Sequence, residues 1–274
     1  MKKFSFIVLL TILTFLTACT HLTTKNTDLS PSPVLDRIIE RGELVVGTAG
    51  SMPPLNMTTK EGDVIGIEVD IARYIASGMG VKLKIETMPF AELLTALEFG
   101  QVDMILSGMT MTGKRNLNVA FVGHYFISGK ALLTKKKTIA DAGKVLEINS
   151  PERSLVALKG STSQVFIEKL IPDAKLVVTN HYEEAVDMVL KDQVDALVAD
   201  YPICLVSMAR YPNEGLVSTT KLLTYEPIGI AIPAGDSLLI NWLENFLKAL
   251  KGSGALKAIK ETWSQDTSWL SRLP

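Results

Sequence analysis

Residues 107–115 combine small hydroxylated residues, glycine and one arginine directly after an apolar run. They read Ser-Gly-Met-Thr-Met-Thr-Gly-Lys-Arg and follow the apolar residues 102–106. The arginine side chain offers a planar fork of N–H donors that matches a carboxylate, and Ser107, Thr110 and nearby backbone groups can complete a pocket for a small zwitterion. The alternative is a solvated arginine in the first turn of a helix after a strand. The hypothesis of a binding loop therefore needs support from the rest of the chain.

The first 18 residues predict a secretory signal peptide. Lys2 and Lys3 precede an apolar run of about a dozen residues, shorter than the roughly 20 that a bilayer-spanning helix needs. The run ends in Leu-Thr-Ala-Cys, which resembles a bacterial lipobox. In a lipobox the cysteine, here Cys19, becomes the first residue of the mature chain and carries lipid such as palmitate. The alternative is an ordinary cleavage site beside a free cysteine.

The charge of the exported chain excludes one class of partner. Removal of residues 1–18 takes away two lysines and leaves 26 basic and 29 acidic side chains, a formal charge of −3. Such a chain has no electrostatic reason to bind nucleic acid. Residues 20 to about 33 are polar and contain proline, as expected of a flexible tether between lipid and folded domain. The mature chain keeps Cys204 besides Cys19, so no intramolecular disulfide framework is expected.

A repeated motif predicts two lobes of similar construction. Gln-Val-Asp followed by an apolar run occurs at residues 101–106 and again at 193–198, each time after a helical pattern of apolar residues. Upstream of each copy lies another strand-like run, at 44–47 and at 155–158, which opens into a turn with glycine. With 47 per cent apolar residues, the chain can bury one large or two smaller cores.

Strands and helices alternate in both predicted lobes, which indicates mainly parallel sheets. The first lobe has an amphipathic helix with Ile67, Ile71, Tyr74 and Ile75, followed by an alternating strand at 81–85. The second has helices at about 162–170 and 201–210 and a strand at 176–178. Ligands of such sheets bind beyond the carboxyl ends of the strands. Four loops at those ends should converge on one cleft, and they are residues 48–54, 107–115, 160–163 and 200–201.

At this point the chain resembles a known family, the extracytoplasmic solute-binding proteins of amino-acid ABC importers. The resemblance covers nearly the whole mature chain and rests on Gly-Ile-Glu-Val-Asp at 66–70, the loop 107–115, Lys-Gly-Ser-Thr at 159–162, Val-Ala-Asp at 198–200 and the segment 225–231. It implies an α/β fold of the type II periplasmic-binding-protein kind, with two lobes joined by crossing strands at 130–135 and 227–233. Lobe 1 would then comprise 34–130 and 228–274, and lobe 2 would comprise 131–227. The C-terminal helices, about 237–250 and 255–263, would return to lobe 1.

The resemblance also implies roles for site residues. Arg115 would grip the α-carboxylate of an amino acid, assisted by backbone groups of Gly108, Thr110 and Thr162. Asp200 would accept the α-ammonium. Its alternative role, as the N-cap of a helix that starts at Tyr201-Pro202, does not exclude this one.

Side-chain selectivity is expected from three apolar residues. Phe90 matches the position of an aromatic that packs on the ligand, while Met52 and Leu158 would supply the other walls. Many relatives have an acid where Ala49 stands, and its absence here argues against lysine or arginine as ligand. We therefore expect a neutral, moderately apolar amino acid. The alternative for Phe90 is that it opens a helix and faces the core.

Other function classes have less support in the chain. We expect no catalytic residue, metal or cofactor, because neither His124 nor His181 lies in a nucleophile elbow, a zinc spacing or a phosphate loop. A cyclohexadienyl or arogenate dehydratase on this same fold is one alternative, and a ligand-sensing or adhesin lipoprotein is another. The favoured interpretation is a monomeric, lipid-anchored protein of the cell envelope that hands an amino acid to an ABC permease.

Overall fold

The computed structural model describes residues 31–142 and 144–274, so the predicted signal peptide, Cys19 and most of the predicted tether lie outside it. In chain order the strands are β1 (Glu43–Thr48), β2 (Ser51–Met52), β3 (Asn56–Thr58), β4 (Val64–Ile65), β5 (Lys82–Thr87), β6 (Met104–Ile105), β7 (Val119–Ser128), β8 (Lys130–Thr134), β9 (Ser154–Leu158), β10 (Lys175–Thr179), β11 (Ala196–Asp200), β12 (Val217–Ser218) and β13 (Glu226–Pro233). The α-helices are α1 (Pro33–Arg41), α2 (Ile67–Met79), α3 (Leu93–Glu98), α4 (Lys137–Ala140), α5 (Thr162–Leu170), α6 (Tyr182–Leu190), α7 (Tyr201–Arg210), α8 (Ser237–Gly252) and α9 (Ala255–Gln265). Short 3-10 helices cover Phe90–Glu92, Arg115–Leu117, Val145–Ile148 and Ser268–Arg272.

Two five-stranded sheets organise these elements into two lobes. The first sheet has the order β5-β1-β6-β13-β7, and the second has the order β10-β9-β11-β8-β12. In each sheet four strands run in one direction and one, β13 or β8, runs against them. We call the part built on the first sheet lobe 1 and the part built on the second sheet lobe 2. The predicted fold class, two α/β lobes with mainly parallel sheets, is confirmed.

The chain passes between the lobes next to paired strands. It leaves β7 of the first sheet at Ser128 and enters β8 of the second sheet at Lys130. It returns after β12 and rejoins the first sheet at Glu226, where β13 begins. Glu226 is the direct ladder partner of Ser128, so the exit and the return lie side by side. The domain boundaries at 130/131 and 227/228 stay a prediction, close to these crossings.

The two Gln-Val-Asp segments take equivalent places in the two lobes. In lobe 1, Asp103 Oδ2 accepts a hydrogen bond from the Val45 amide at 2.8 Å, and the Asp103 amide donates to the Val45 carbonyl at 2.8 Å. In lobe 2, Asp195 Oδ2 accepts from the Ser154 amide at 2.7 Å, and its amide donates to the Ser154 carbonyl at 2.8 Å. Each aspartate thus ties the entry of one central strand to the start of its neighbour.

Local sequence signals explain most helix positions. Ser161 caps α5, since its side chain accepts a hydrogen bond from the Gln164 amide at 3.2 Å. Gly80 ends α2 in the left-handed conformation, with φ of 71°. The face of α2 with Ile67, Ile71 and Ile75 is buried, but Tyr74, expected on that face, is 49 per cent exposed.

Two features of lobe 1 differ from the sequence-based expectation. Helix α1 begins at Pro33, inside the segment assigned to the tether, and proline at the first helical position is favourable because its missing N–H would have no partner there. The carboxylate of Asp236 binds the amides of Val34 and Leu35 at 2.9 and 3.1 Å and so caps this helix from a distant part of the chain. The first predicted loop also contains a short strand, β2, which forms a small sheet with β3 and β4.

Candidate functional site

A cavity between the two lobes contains about 310 Å³ of space not occupied by atoms, part of which is open to solvent. The carboxyl ends of β1, β6, β9 and β11 surround it, as expected for parallel strands. All nine residues predicted for the site line this cavity, and they are Met52, Phe90, Ser107, Gly108, Thr110, Arg115, Leu158, Thr162 and Asp200. The structure therefore brings the predicted residues together, while their contacts with a ligand stay predictions.

Arg115 connects the two sides of the cavity. Its Nη1 donates to the Thr110 carbonyl of lobe 1 at 2.9 Å, and its Nη2 donates to the Gly160 carbonyl of lobe 2 at 3.1 Å. The guanidinium carbon lies 5.5 Å from the centroid of the Phe90 ring, which is a cation–π arrangement. Burial lowers the pKa of Arg115 to about 10, against the opposing effect of nearby carboxylates. The side chain is therefore a cation at neutral pH, with N–H donors left for an anion.

Asp200 faces the cavity from the end of β11 in lobe 2. Its Oδ2 accepts a hydrogen bond from Lys130 Nζ at 2.9 Å, whereas its Oδ1 is buried and has no hydrogen-bond partner among the described residues. Asp200 occupies the N-cap position of α7, but its side chain makes no capping hydrogen bond. A buried carboxylate oxygen without a partner is costly, which makes Oδ1 a ready acceptor for a cationic donor in the cavity.

A polar chain links the lobes beside these charges. Thr162 Oγ1 donates to Glu226 Oε2 at 3.1 Å and lies 3.5 Å from Thr110 Oγ1. Glu226 Oε1 accepts from the Thr224 hydroxyl at 2.9 Å. Since Thr110 belongs to lobe 1 and Thr162 to lobe 2, closing of the cleft brings these hydroxyls within reach of each other.

Gly108 is expected to assist a ligand carboxylate through its backbone groups, and its amide is the group that could donate. That amide already donates to Glu68 Oε1 at 2.7 Å. Glu68 is buried, also accepts hydrogen bonds from Tyr125 and from the Asn56 amide, and belongs to the Gly-Ile-Glu-Val-Asp segment. Burial raises the pKa of the Glu68 carboxyl, although the three donors oppose that shift. Gly108 thus lines the cavity, while its N–H holds the loop in place.

The remaining predicted residues form walls. Ser107 Oγ accepts a hydrogen bond from the Ala49 amide at 2.8 Å and so joins two of the loops, while its own hydrogen can still be donated. Met52, Phe90 and Leu158 are buried and apolar. Phe90 begins a 3-10 helix and also belongs to the main hydrophobic core, so both roles considered for it are compatible.

Several lining residues were not indicated by the sequence. They are Ala49, Ser51, Ser161 and Tyr182, of which all but Tyr182 fall within the predicted loops. Tyr182 opens α6, and burial together with the nearby Asp200 carboxylate holds the pKa of its hydroxyl well above its usual range. No local pattern distinguishes Tyr182 from other apolar positions of that helix.

A second cavity is larger but has different chemistry. It contains about 1800 Å³ of space not occupied by atoms beside β7, α7 and the C-terminal helices, and most of its lining is apolar. Its ionic pair, Lys257 with Glu261 at 3.6 Å, lies on the exposed surface of α9. A zwitterion needs a fixed cation and a fixed anion in a desolvated place, and the smaller cavity provides these.

Other chemistries find little support in the described part of the chain. No group of three His, Cys, Asp or Glu side chains among these residues is arranged to hold a metal ion. His124 is partly buried beside the larger cavity, and His181 is exposed. Burial raises the pKa of the Cys204 thiol to about 12, so this residue is not a thiolate nucleophile at neutral pH.

Comparison with known proteins decides the family. Residues 44–266 match the family described as bacterial extracellular solute-binding proteins, family 3. The chain belongs to this family. A glutamine-binding protein of a Bacillus subtilis ABC transporter is 32 per cent identical over 212 residues, which cover 75 per cent of this chain and 74 per cent of that protein.

Solved structures of family members agree in fold. The binding component of an ABC transporter from Wolinella succinogenes, complexed with lysine, is 38 per cent identical with a TM-score of 0.80 and covers 84 per cent of this chain and 99 per cent of its own. An ancestral amino-acid-binding protein, described as a precursor of cyclohexadienyl dehydratase, is 32 per cent identical with a TM-score of 0.77 and covers 84 and 98 per cent of the two chains.

As a member of family 3, the chain is an extracytoplasmic solute-binding protein of the amino-acid ABC transporter class. Among the helices that the structure describes, none has the length and apolar character to cross a membrane.

Proposed function

We propose that this protein is the capture component of an amino-acid ABC importer, and that it binds a free, neutral amino acid between its lobes. The observation that carries this proposal is the pairing, across one cavity, of the Arg115 guanidinium with the unpartnered Oδ1 of Asp200. An amino acid presents a carboxylate and an ammonium a few ångströms apart, and these two side chains match both groups. The ligands named for the relatives, glutamine and lysine, support the amino-acid class and leave its side chain open.

Closure follows from the distribution of these groups over the lobes. Arg115 and Thr110 belong to lobe 1, while Asp200 and Thr162 belong to lobe 2. A zwitterion that contacts both sets stabilises the closed arrangement over an open one. Delivery to a permease then requires the lobes to separate again. The two short segments that connect the lobes, at Gly129 and Thr224, permit this movement.

The proposal that the ligand has a neutral side chain rests on the residues that form the walls of the cavity. Met52, Phe90 and Leu158 are apolar and buried, and Ala49 offers no carboxylate to a cationic side chain. We also propose that Cys19 anchors the monomeric protein to a membrane through lipid and that the protein turns over no substrate. Cys19→Ser should then release it from washed membranes into the soluble fraction.

The test is a ligand screen on the chain from residue 20 onwards, unfolded and refolded to strip bound ligand. Thermal shift against the common amino acids, arogenate and prephenate identifies the ligand, and titration calorimetry gives its affinity. We expect one neutral amino acid to stabilise the protein and to be recovered unchanged. Conversion of arogenate or prephenate would instead establish the dehydratase alternative.

Substitution then tests the site. Arg115→Ala and Asp200→Ala should each weaken binding about 100-fold, since a hydrogen bond to a charged group contributes about 1.5 to 3 kcal/mol. The control is Arg73→Ala, which removes an exposed arginine paired with Asp70 at 2.6 Å on α2 and should leave affinity unchanged. Unaltered affinity in both site variants would remove this assignment.

A further inference from the structure

A buried lysine stands behind the proposed ammonium acceptor. Lys130 is fully buried, and its Nζ lies 2.9 Å from Asp200 Oδ2 and 3.7 Å from Glu226 Oε2. Lys130 is the first residue of β8 and Glu226 is the first residue of β13, so both stand where the chain crosses between the lobes. A buried ammonium and two buried carboxylates are stable only together, because the attraction between them offsets the cost of removing each charge from water.

This set is in contact with the cavity at two places. Asp200 lines the cavity directly, and Glu226 accepts a hydrogen bond from Thr162, which also lines it. Any charge that enters the cavity therefore meets the field of Lys130, Asp200 and Glu226 in a poorly solvated space, where electrostatic interactions are strong.

The charges around the cavity balance. The cations are Arg115 and Lys130, and the anions are Asp200 and Glu226. A further carboxylate, that of Glu68, lies behind Gly108 with both oxygens occupied by donors of lobe 1. A zwitterion with a neutral side chain preserves the balance. A ligand with a cationic side chain would add a buried charge that no free carboxylate compensates.

We propose that Lys130 is a specificity-determining residue, whose ammonium neutralises the Asp200–Glu226 pair and thereby excludes ligands with cationic side chains. This inference rests on the proposed function, since it concerns the same cavity. It assigns the selection for net neutral ligands to a residue that need not touch the ligand, in addition to the apolar walls.

The first experiment removes the cation. In Lys130→Met the cavity carries one excess negative charge, so the ratio of affinities for lysine and for the neutral ligand should rise about tenfold or more. Calorimetric titrations of both ligands into refolded wild-type and variant protein give this ratio. Lys136→Met is the matched control, because it removes a lysine of lobe 2 that pairs with Asp195 away from the cavity. It should leave the ratio unchanged.

The second experiment gives the cavity an excess charge of the opposite sign, and it remains informative if Lys130→Met does not fold. Glu226→Gln leaves one excess positive charge, so the ratio of affinities for glutamate and glutamine should rise. The double variant with Lys130→Met and Glu226→Gln has balanced charges again and should return to the neutral preference of the wild type.

Three results would overturn the inference. They are equal losses for neutral and cationic ligands in Lys130→Met, an unchanged ratio of glutamate to glutamine in Glu226→Gln, and a preference of the unaltered protein for lysine or arginine. Absence of binding of any amino acid by the unaltered protein would instead contradict the proposed function, and this inference would fall with it.

Discussion

The Arg115 guanidinium of lobe 1 donates a hydrogen bond at 3.1 Å to the carbonyl oxygen of Gly160 in lobe 2. The bond crosses the cleft beside the candidate site, so the structure represents the closed arrangement. Gly160 also has a second contact with lobe 1. A Cβ atom at Gly160 would lie 3.1 Å from Cα and Cβ of Ala91, which is closer than about nine in ten real contacts of this kind.

Gly160→Ala should therefore hinder closure. The added methyl group presses on the 3-10 helix that contains Ala91, and the lobes must separate slightly to accommodate it. We expect ligand affinity to fall about tenfold, because the contacts of both lobes with the ligand weaken together. Calorimetry gives the affinity, and X-ray scattering with saturating ligand should give a larger radius of gyration than for the wild type.

The matched control for this variant is Gly215→Ala. Gly160 and Gly215 have φ of 74° and 71°, so both substitutions carry the same backbone strain, but a Cβ at Gly215 meets no atom within 4 Å. Gly215→Ala should lose stability and keep its affinity. Equal losses of affinity in the two variants would contradict a role of Gly160 in closure.

Gly108→Ala should impair binding more than stability. A Cβ at Gly108 would lie 2.1 Å from the sulfur of Met52, and φ of Gly108 is 61°. Met52 would have to move, and because it lines the cavity, its movement takes space from the ligand. Gly42→Ala is the control, with φ of 65° and open space around the added atom.

Shortening the methionine should rescue this variant. Gly108→Ala combined with Met52→Ala should recover most of the affinity that Gly108→Ala loses, relative to Met52→Ala alone. If the double variant binds no better than Gly108→Ala, the contact with Met52 is not the cause of the loss.

Asp236→Asn should destabilise the protein in a pH-dependent way. Asp236 accepts from the amides of Val34, Leu35 and Leu239 and so caps both α1 and α8. Burial alone would raise the pKa of this carboxyl, but the Ser32 hydroxyl and these amides outweigh it and hold the pKa below the usual 3.8. The stabilisation is present above that value and is lost as the pH falls through the lower pKa of the folded state.

We expect Asp236→Asn to cost about 1 to 2 kcal/mol near neutral pH, as for other lost helix caps. The thermal midpoint should fall, and the difference from the wild type should shrink below about pH 3.8. Asp266→Asn, which affects an exposed carboxylate near the C-terminus, should have a much smaller effect. A difference between Asp236→Asn and wild type that stays constant from neutral to acid pH would contradict this assignment.

The aspartates of the two Gln-Val-Asp segments, Asp103 and Asp195, should contribute unequally to the stability of the protein. Asp103 is fully buried and pairs with Arg37 and Arg41, whereas Asp195 is slightly exposed and its nearest cation, Lys136, is half-exposed. Asp103→Asn should therefore lower the midpoint of urea unfolding more than Asp195→Asn, with a loss of about 2 kcal/mol or more. Equal midpoints would show that the two positions are not distinguished by burial.

Much of this fold could be predicted because its signals are local. Helices α5 and α7 begin and end at the predicted residues. The capping residue Ser161 marks the start of α5, and Asp200 followed by Pro202 marks the start of α7. The four loops met at one cavity because parallel strands place their carboxyl ends together. Asp200 was expected as a possible N-cap, and in the structure its carboxylate pairs with Lys130 instead.

The missed features depend on contacts between distant residues. Lys130 and Asp200 are 70 positions apart, and neither strand has a pattern that distinguishes a buried lysine from a solvated one. Of helix α1, only Pro33 was assigned to the tether, and the start of the helix was missed because its cap, Asp236, lies 202 positions away from Val34. The sequence around Gly108 does not show that its amide donates to Glu68, which is 40 residues upstream.

The pairing of Ser128 with Glu226 has a consequence for engineering. All of lobe 2 is inserted between two neighbouring residues of one ladder, so it behaves as a cassette whose ends already meet. Lobe 2 of a homologue, with different residues lining its side of the cavity, can be joined at these positions without changing the chain path of lobe 1. Such chimaeras would keep the half of the site with Arg115, Met52 and Phe90 constant and vary the half with Leu158 and Asp200, so that the contribution of each half to affinity and selectivity could be measured separately.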